Sequence, residues 1–163
     1  MAEMIVLDAV SVATIARAAR DAAAGLASKS GLARSAVSIL PDGVSAILRR
    51  ITPSGTAAGD LPQALIRYAV ELDEIAEAAV SLDQREHELE HQLRWWAERI
   101  IELESQLTGQ ASSDVETGRE LALFRGRTSG AHAMQRHYLQ ERAALAARHD
   151  RADAACASEL TGS

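Results

Sequence analysis

Aromatic residues make up only 3% of this 163-residue chain, and much of its 47% hydrophobic content is alanine. A chain so poor in large rings and so rich in small side chains suits close helix packing rather than a thick globular core or a sheet. One cysteine, Cys156, excludes an internal disulfide framework. Basic residues are outnumbered by acidic ones, 17 to 23, which argues against nucleic acid as a general partner because phosphate binding needs a positive surface. No window approaches the roughly 18 uninterrupted apolar residues of a membrane span. The start, MAEMIVLDAV, lacks the basic and apolar regions of a signal peptide, so the expectation is a soluble chain that stays in the cytoplasm or leaves by a signal-peptide-independent route. No strand pattern, glycine-rich phosphate loop, nucleophile elbow or Cys/His zinc framework is found, and no cofactor is implied.

What is present is one long seam. Leu65, Tyr68, Leu72, Ile75, Ala79, Leu82, Glu86, Leu89, Leu93, Trp96, Ile100, Leu103 and Leu107 follow alternating three- and four-residue steps, and Glu86 alone among them is polar. The intervening positions are mostly charged or amide. A seven-residue repeat held this long predicts one amphipathic helix over 62–108, about 70 Å long at 1.5 Å per residue. Its period near 3.5 implies pairing with another helix, coiled-coil fashion. Glu86 is read in two ways: as a polar residue that fixes register or partner, or as a point where the seam widens towards solvent.

The fold class expected is all-α, a single domain over 1–163 made of a long antiparallel helical hairpin plus a third, broken helix. The first region, 1–51, starts at a cap on Asp8 or Ser11, softens at Lys29, Ser30 and Gly31, and kinks at Pro41, Asp42 and Gly43. Residues 52–61 form the clearest loop, with Asp60 and Pro62 opening the central helix. Similar lengths and a short connection pair this first region with 62–108 as the hairpin. After a second loop at 109–112, Ser113 and Glu116 have capping-box spacing and open a third helical region, 113–158. Gly126 and Gly130 are expected to break it, each costing a helix about 1 kcal/mol relative to alanine. Residues 159–163 are expected to fray.

Several strings could carry chemistry. His87-Glu88-Leu89-Glu90-His91 matches H-E-x-x-H, which sets two imidazoles one turn apart to hold zinc with a glutamate as general base. With Glu86 and Leu89 on the seam, however, His87 and His91 fall on the solvated face. The positions where an extended zinc-protease pattern wants Gly and His hold Arg94 and Ala97. Glu88 with His91 forms the E-x-x-H half of a di-iron bundle site, but Ser129, Met134 and Ala146 precede the other histidines, so no second half exists. Trp96 lies on the seam and is expected to pack into a partner helix. Trp95 beside it either covers a hairpin end or anchors an interface. Cys156 reads as a small packing residue, since no activating group is spaced to it.

Two features of the last third resemble the WXG-motif helical-hairpin family, the small proteins and effector N-domains exported by type VII secretion systems. Phe124-Arg125-Gly126 stands where that family carries Trp-x-Gly at the turn between two helices. His149 and Asp153 resemble the H-x-x-x-D variant of its export signal. Phe replaces Trp at the turn, Arg142 stands where the Tyr form from Tyr138 needs an acid, and Leu160 stands where the extended pattern wants His. The resemblance covers about 65–160. It implies a non-enzymatic bacterial protein, a secreted substrate or a chaperone-like partner, that pairs helix to helix with another hairpin protein or with itself. Phe124, Gly126, Trp95, Trp96, His149 and Asp153 would be its partner and export residues. The alternatives are an intracellular coiled-coil scaffold and, more distantly, a zinc hydrolase centred on His87, Glu88 and His91.

Overall fold

The structure, a computed structural model, describes residues 8–28, 34–51, 61–109 and 115–161. They form five helices: α1 (Ala9–Ala27), α2 (Arg34–Ile39), α3 (Asp42–Ile51), α4 (Leu61–Gly109) and α5 (Val115–Thr161). No strand occurs among the described residues, so the all-α class holds. The chain divides into two compact units, one of Met1–Val80 with Arg142–Ser163 and one of Ser81–Glu141.

In the first unit Asp8 caps α1. Its carboxylate accepts the backbone N–H groups of Val10 and Ser11 at 3.2 Å each and the Ser11 hydroxyl at 2.7 Å. These bonds satisfy donors that a helix start otherwise leaves open. They also hold the Asp8 carboxyl below its ordinary range, the Ser11 hydroxyl first among the causes. The expected kink at 41–43 is present: α2 stops at Ile39, and Ser45 N–H closes the first turn of α3 on Pro41 O at 2.9 Å. Alanines Ala16, Ala19, Ala22 and Ala23 of α1 are buried with Leu40, Val44 and Leu48, and with Leu65, Leu72 and Ile75 of α4. Arg20 of α1 is ion-paired with Asp73 of α4.

Along α4 of this unit the apolar face is wider than the two-position seam. Leu65, Tyr68, Leu72, Ile75 and Ala79 are buried on the seam itself, and the flanking Ala64, Ala69 and Ala76 are buried beside it. A stripe that wide needs more than one covering helix, and α1, α3 and α5 all contribute to the cluster. From α5, Cys156 and Leu160 are buried in it, with Leu145 and Ala152 packed against it.

The antiparallel partner of α4 is α5. In the first unit Arg67 pairs with Glu159 at 2.6 Å, while Glu71 and Glu74 both pair with Arg148 at 2.5 Å. In the second unit Arg85 pairs with Glu141 at 2.7 Å and Arg99 with Glu120 at 3.0 Å. In each unit the α4 number rises as the α5 number falls. The expected pairing of 1–51 with 62–108 as the hairpin is therefore corrected: the first region supplies three helices, of which α1 and α3 join the first unit's cluster, and the hairpin is α4 with α5.

The expected break at 126–130 is also absent. α5 is one helix of 47 residues through both glycines. A Cβ at Gly126 or Gly130 would meet nothing within 4 Å, so neither glycine serves a close approach within the chain. Each costs about 1 kcal/mol, but a break forfeits the hydrogen bonds of a turn and requires a new nucleus, which is the larger loss inside a long paired helix. The helix likewise does not fray from Glu159. Leu160 is buried at 2% exposure, and α5 reaches Thr161. The expected softening at 29–31, the loop at 52–60, the loop at 110–112 and the capping residues Ser113 and Asp114 lie outside the described residues.

Candidate functional site

Three places hold the residues singled out by sequence. The first is the His87–His91 string on α4. His87, Glu88, Glu90 and His91 are all exposed, on the outward side that the seam phase dictates. No group of three side chains able to hold a metal ion occurs among the described residues. Two imidazoles one turn apart on a solvated helix have no third protein ligand among the described residues.

The second place is Phe124 and the tryptophans, all in the second unit. Phe124 does not stand at a turn. It lies ten residues into α5, buried with Leu103 and Leu121, and Trp96, Ile100 and Leu107 pack partly buried against this trio. Gly126 is exposed on the same continuous helix. The turn role expected of Phe124-Arg125-Gly126 is therefore corrected to a core role for the ring, driven by the seam phase that puts 124 opposite α4. Trp96 packs on the seam as expected. Trp95 meets the Phe124 ring edge-on, centroids 5.4 Å apart at 73°, the offset geometry that aromatic quadrupoles favour. It remains 52% exposed. The Arg127 guanidinium lies 5.6 Å from the Phe124 centroid.

The third place is His149 and Asp153, in the first unit. Tyr68, a seam residue of α4, donates its hydroxyl to Asp153 at 2.5 Å. His149 Nδ1 stands 3.7 Å from the other Asp153 oxygen, and its buried Nε2 has no hydrogen-bond partner. Burial first, then the Asp153 carboxylate, pushes the Tyr68 phenol far above its ordinary range. Burial also pushes the Cys156 thiol up to about 12, helped by the charges of Glu159 and Asp153. Both side chains are buried in the first unit's cluster, where they serve the packing. The two export-motif side chains are thus half-buried against α4. An open cavity of about 310 Å³ lies beside them, rimmed by Arg67, Glu71, Arg148, Arg151 and Glu159. Arg148 there is held by Glu71 and Glu74 together, so its charge is already answered.

Two features were not singled out in the sequence. One is Tyr68 as the partner of Asp153. A tyrosine on an apolar seam was the available signal, since a buried hydroxyl needs an acceptor. The other is how incompletely the second unit covers its own seam. Leu89, Leu93, Trp96 and Ile100 face α5 and are only partly buried. Opposite them α5 offers Thr128 and Gln135 on its own seam. Glu86 opens, with Leu89, Glu90, Gln135, Tyr138 and Leu139, onto a cavity of about 350 Å³. Of the two readings of Glu86, widening towards solvent has this cavity in its favour. Trp95, Leu123, Met134 and Leu139 add exposed apolar surface, from 44% to 54% accessible.

No protein-family model matches the chain, and neither the curated proteins nor the solved structures contain a match to it.

Proposed function

We propose that the chain is a non-enzymatic helical interaction protein whose second unit takes up a partner helix. One observation carries this reading: Leu89, Leu93, Trp96 and Ile100 lie on the seam that faces α5 and are only partly buried, with exposed Trp95, Leu123, Met134 and Leu139 in the same unit. Buried apolar surface is worth roughly 25 cal/mol per Å². A hairpin that buries Leu103, Leu121 and Phe124 but covers the seam at 89–100 only partly gains from a third or fourth helix laid along it. Trp95 beside this seam is the residue type that anchors interfaces.

The resemblance to type VII helical hairpins fits a role of this kind, with a partner hairpin or a second copy as the expected mate. Of its export role only the His149 and Asp153 spacing remains in support, and those side chains are engaged with Tyr68 rather than displayed. The scaffold alternative rests on the same seam.

A photocrosslinking amino acid placed at Trp95, at Leu139 or, as a control, at exposed Gln63 tests the reading in the source cell. The expected outcome is a discrete protein adduct from positions 95 and 139 and none from 63. Adducts from none of the three positions would remove the interaction role of the second unit.

A further inference from the structure

Within the first unit α4 is gripped along two strips, one on each side of its seam. Arg67, Glu71 and Glu74 follow the four-then-three spacing of one strip. They pair with Glu159 and Arg148 of α5. Ala69, Asp73 and Ala76 have the same spacing on the other strip, and there Asp73 pairs with Arg20 of α1. The two grips differ in strength. α5 adds the Tyr68–Asp153 hydrogen bond to its ion pairs, and it buries Cys156 and Leu160. α1 has the Arg20–Asp73 pair as its one ion pair among the described residues, between side chains 48% and 38% exposed. The hydroxyls of Ser11 and Thr14 bond within α1 and its cap. Of the seven residues that α1 buries, six are alanines and the largest is Val12. Ile15 and Leu26 are only partly buried. An alanine brings a single methyl to the contact, where Leu65, Leu72 and Ile75 of α4 each bring a whole branched side chain.

We propose that α1 is a strap, which opens from α4 as one unit while α4 and α5 of the first unit stay closed on each other. Elements open separately where they bury little apolar surface, and α1 buries little for its 19 residues. The opening breaks the Arg20–Asp73 pair and the alanine contacts, and it leaves the 67–71–74 strip with all its pairs to α5. It uncovers the Ala69–Ala76 strip beside Leu72 and Ile75. The strap thereby decides whether the widest apolar stripe of α4 is covered. Off α4, a helix of this length is marginal in water even when rich in alanine, so its amides exchange with solvent once it has left.

Hydrogen exchange of the full chain, read segment by segment by mass spectrometry, tests this. Amides of 13–27 are expected to exchange at least about tenfold faster than those of 65–80 and 142–157. Their rate should also rise less steeply with urea, because a partial opening exposes less surface than unfolding does. Val12→Ala, which removes the largest buried side chain of α1, should speed exchange there about tenfold. Arg148→Ala acts on the opposite strip. It should speed 65–80 and 142–157 about two- to threefold and leave α1 unchanged, since α1 opens without breaking that pair. Exchange of α1 at the rate and urea slope of 65–80 would overturn the proposal, because the unit would then open only as a whole. Acceleration of α1 by Arg148→Ala would overturn it for the same reason. A rate that falls steadily from Ala9 inward would also overturn it, by showing an end that frays in place of a helix that opens.

Discussion

The two units draw on the same pair of helices and solve the burial problem differently. In the first, α4 buries Leu65, Leu72 and Ile75 on its seam and Ala69 and Ala76 on the flank. In the second, the flank positions that continue Ala69 and Ala76 by sevens are Asp83, Glu90, Ala97 and Glu104. A face three positions wide is covered by helices from several directions, whereas a face two positions wide meets one helix and has none to spare for its edges. The width of the apolar stripe thus decides whether a stretch of helix closes its own core or keeps a seam open. The change falls at Asp83, beside the unit boundary after Val80.

Chemical labelling should expose this contrast most sharply. Cys156, with its thiol pushed up to about 12 by burial, should react with a thiol reagent at pH 8 about a thousandfold more slowly than an unperturbed cysteine near 8.5. In a Cys156→Ala background, Leu93→Cys should react at least about tenfold faster than Cys156 does, because that position is only partly buried. Equal protection of both sites would erase the distinction between the units.

Truncation comes next in size. Leu72 is fully buried, and Leu72→Ala should cost about 3 kcal/mol in urea unfolding. Leu93→Ala should cost roughly 1 kcal/mol or less in dilute protein, since water already reaches it. A larger loss at Leu93 than at Leu72 would invert the comparison. Gly126→Ala should stabilise the second unit by up to about 1 kcal/mol, read as a rise in unfolding midpoint.

The smallest effect is electrostatic and belongs to the first unit. Arg148, chiefly by its hydrogen bond, holds the Glu71 carboxyl below its ordinary value. A carboxyl depressed in the folded state adds stability above its unfolded pKa and loses it as pH falls through the folded value. The contribution should therefore be complete at neutral pH and fade below about pH 4.5. These side chains are more than a third exposed, so about 0.5 kcal/mol is expected. Arg148→Ala should flatten that part of the acid titration of stability, and an unchanged slope would mean the pair contributes nothing.

How much of this was legible follows from which helix is considered. The seam of α4 declares itself because twelve of its thirteen positions are apolar, and the structure buries or half-buries every one. The seam of α5 has the same spacing, through Leu121, Phe124, Thr128, Ala131, Gln135, Tyr138, Arg142, Leu145, His149, Ala152 and Cys156, yet seven of those eleven side chains are polar, hydroxylic or alanine. A pattern search by hydrophobicity passes over it, and two glycines invite a break that the neighbouring turns override. The hydrophobic pattern alone therefore points to the wrong pair of regions for the hairpin. Of the candidate site, the solvated placement of His87 and His91 and the seam role of Trp96 followed from helical phase alone. The burial of Phe124 and the engagement of Asp153 by Tyr68 did not, because both depend on which helix lies opposite.

The ladder of ion pairs between α4 and α5 also sets an order of assembly. Arg99 and Glu120 are 21 residues apart in the chain, Arg85 and Glu141 56, Arg148 and Glu74 74, and Arg67 and Glu159 92. Each doubling of an open loop adds only about 0.6 kcal/mol of closure entropy, but once a nearer rung has formed the next closes a far shorter one. The two helices can therefore zip outward from the 99–120 rung, as contacts local in sequence form fastest. The densest packing, around Leu72, Cys156 and Leu160, waits for the last rungs. The sparsely packed half of the hairpin is then the half that starts the fold, and its open seam is the surface exposed longest on the way.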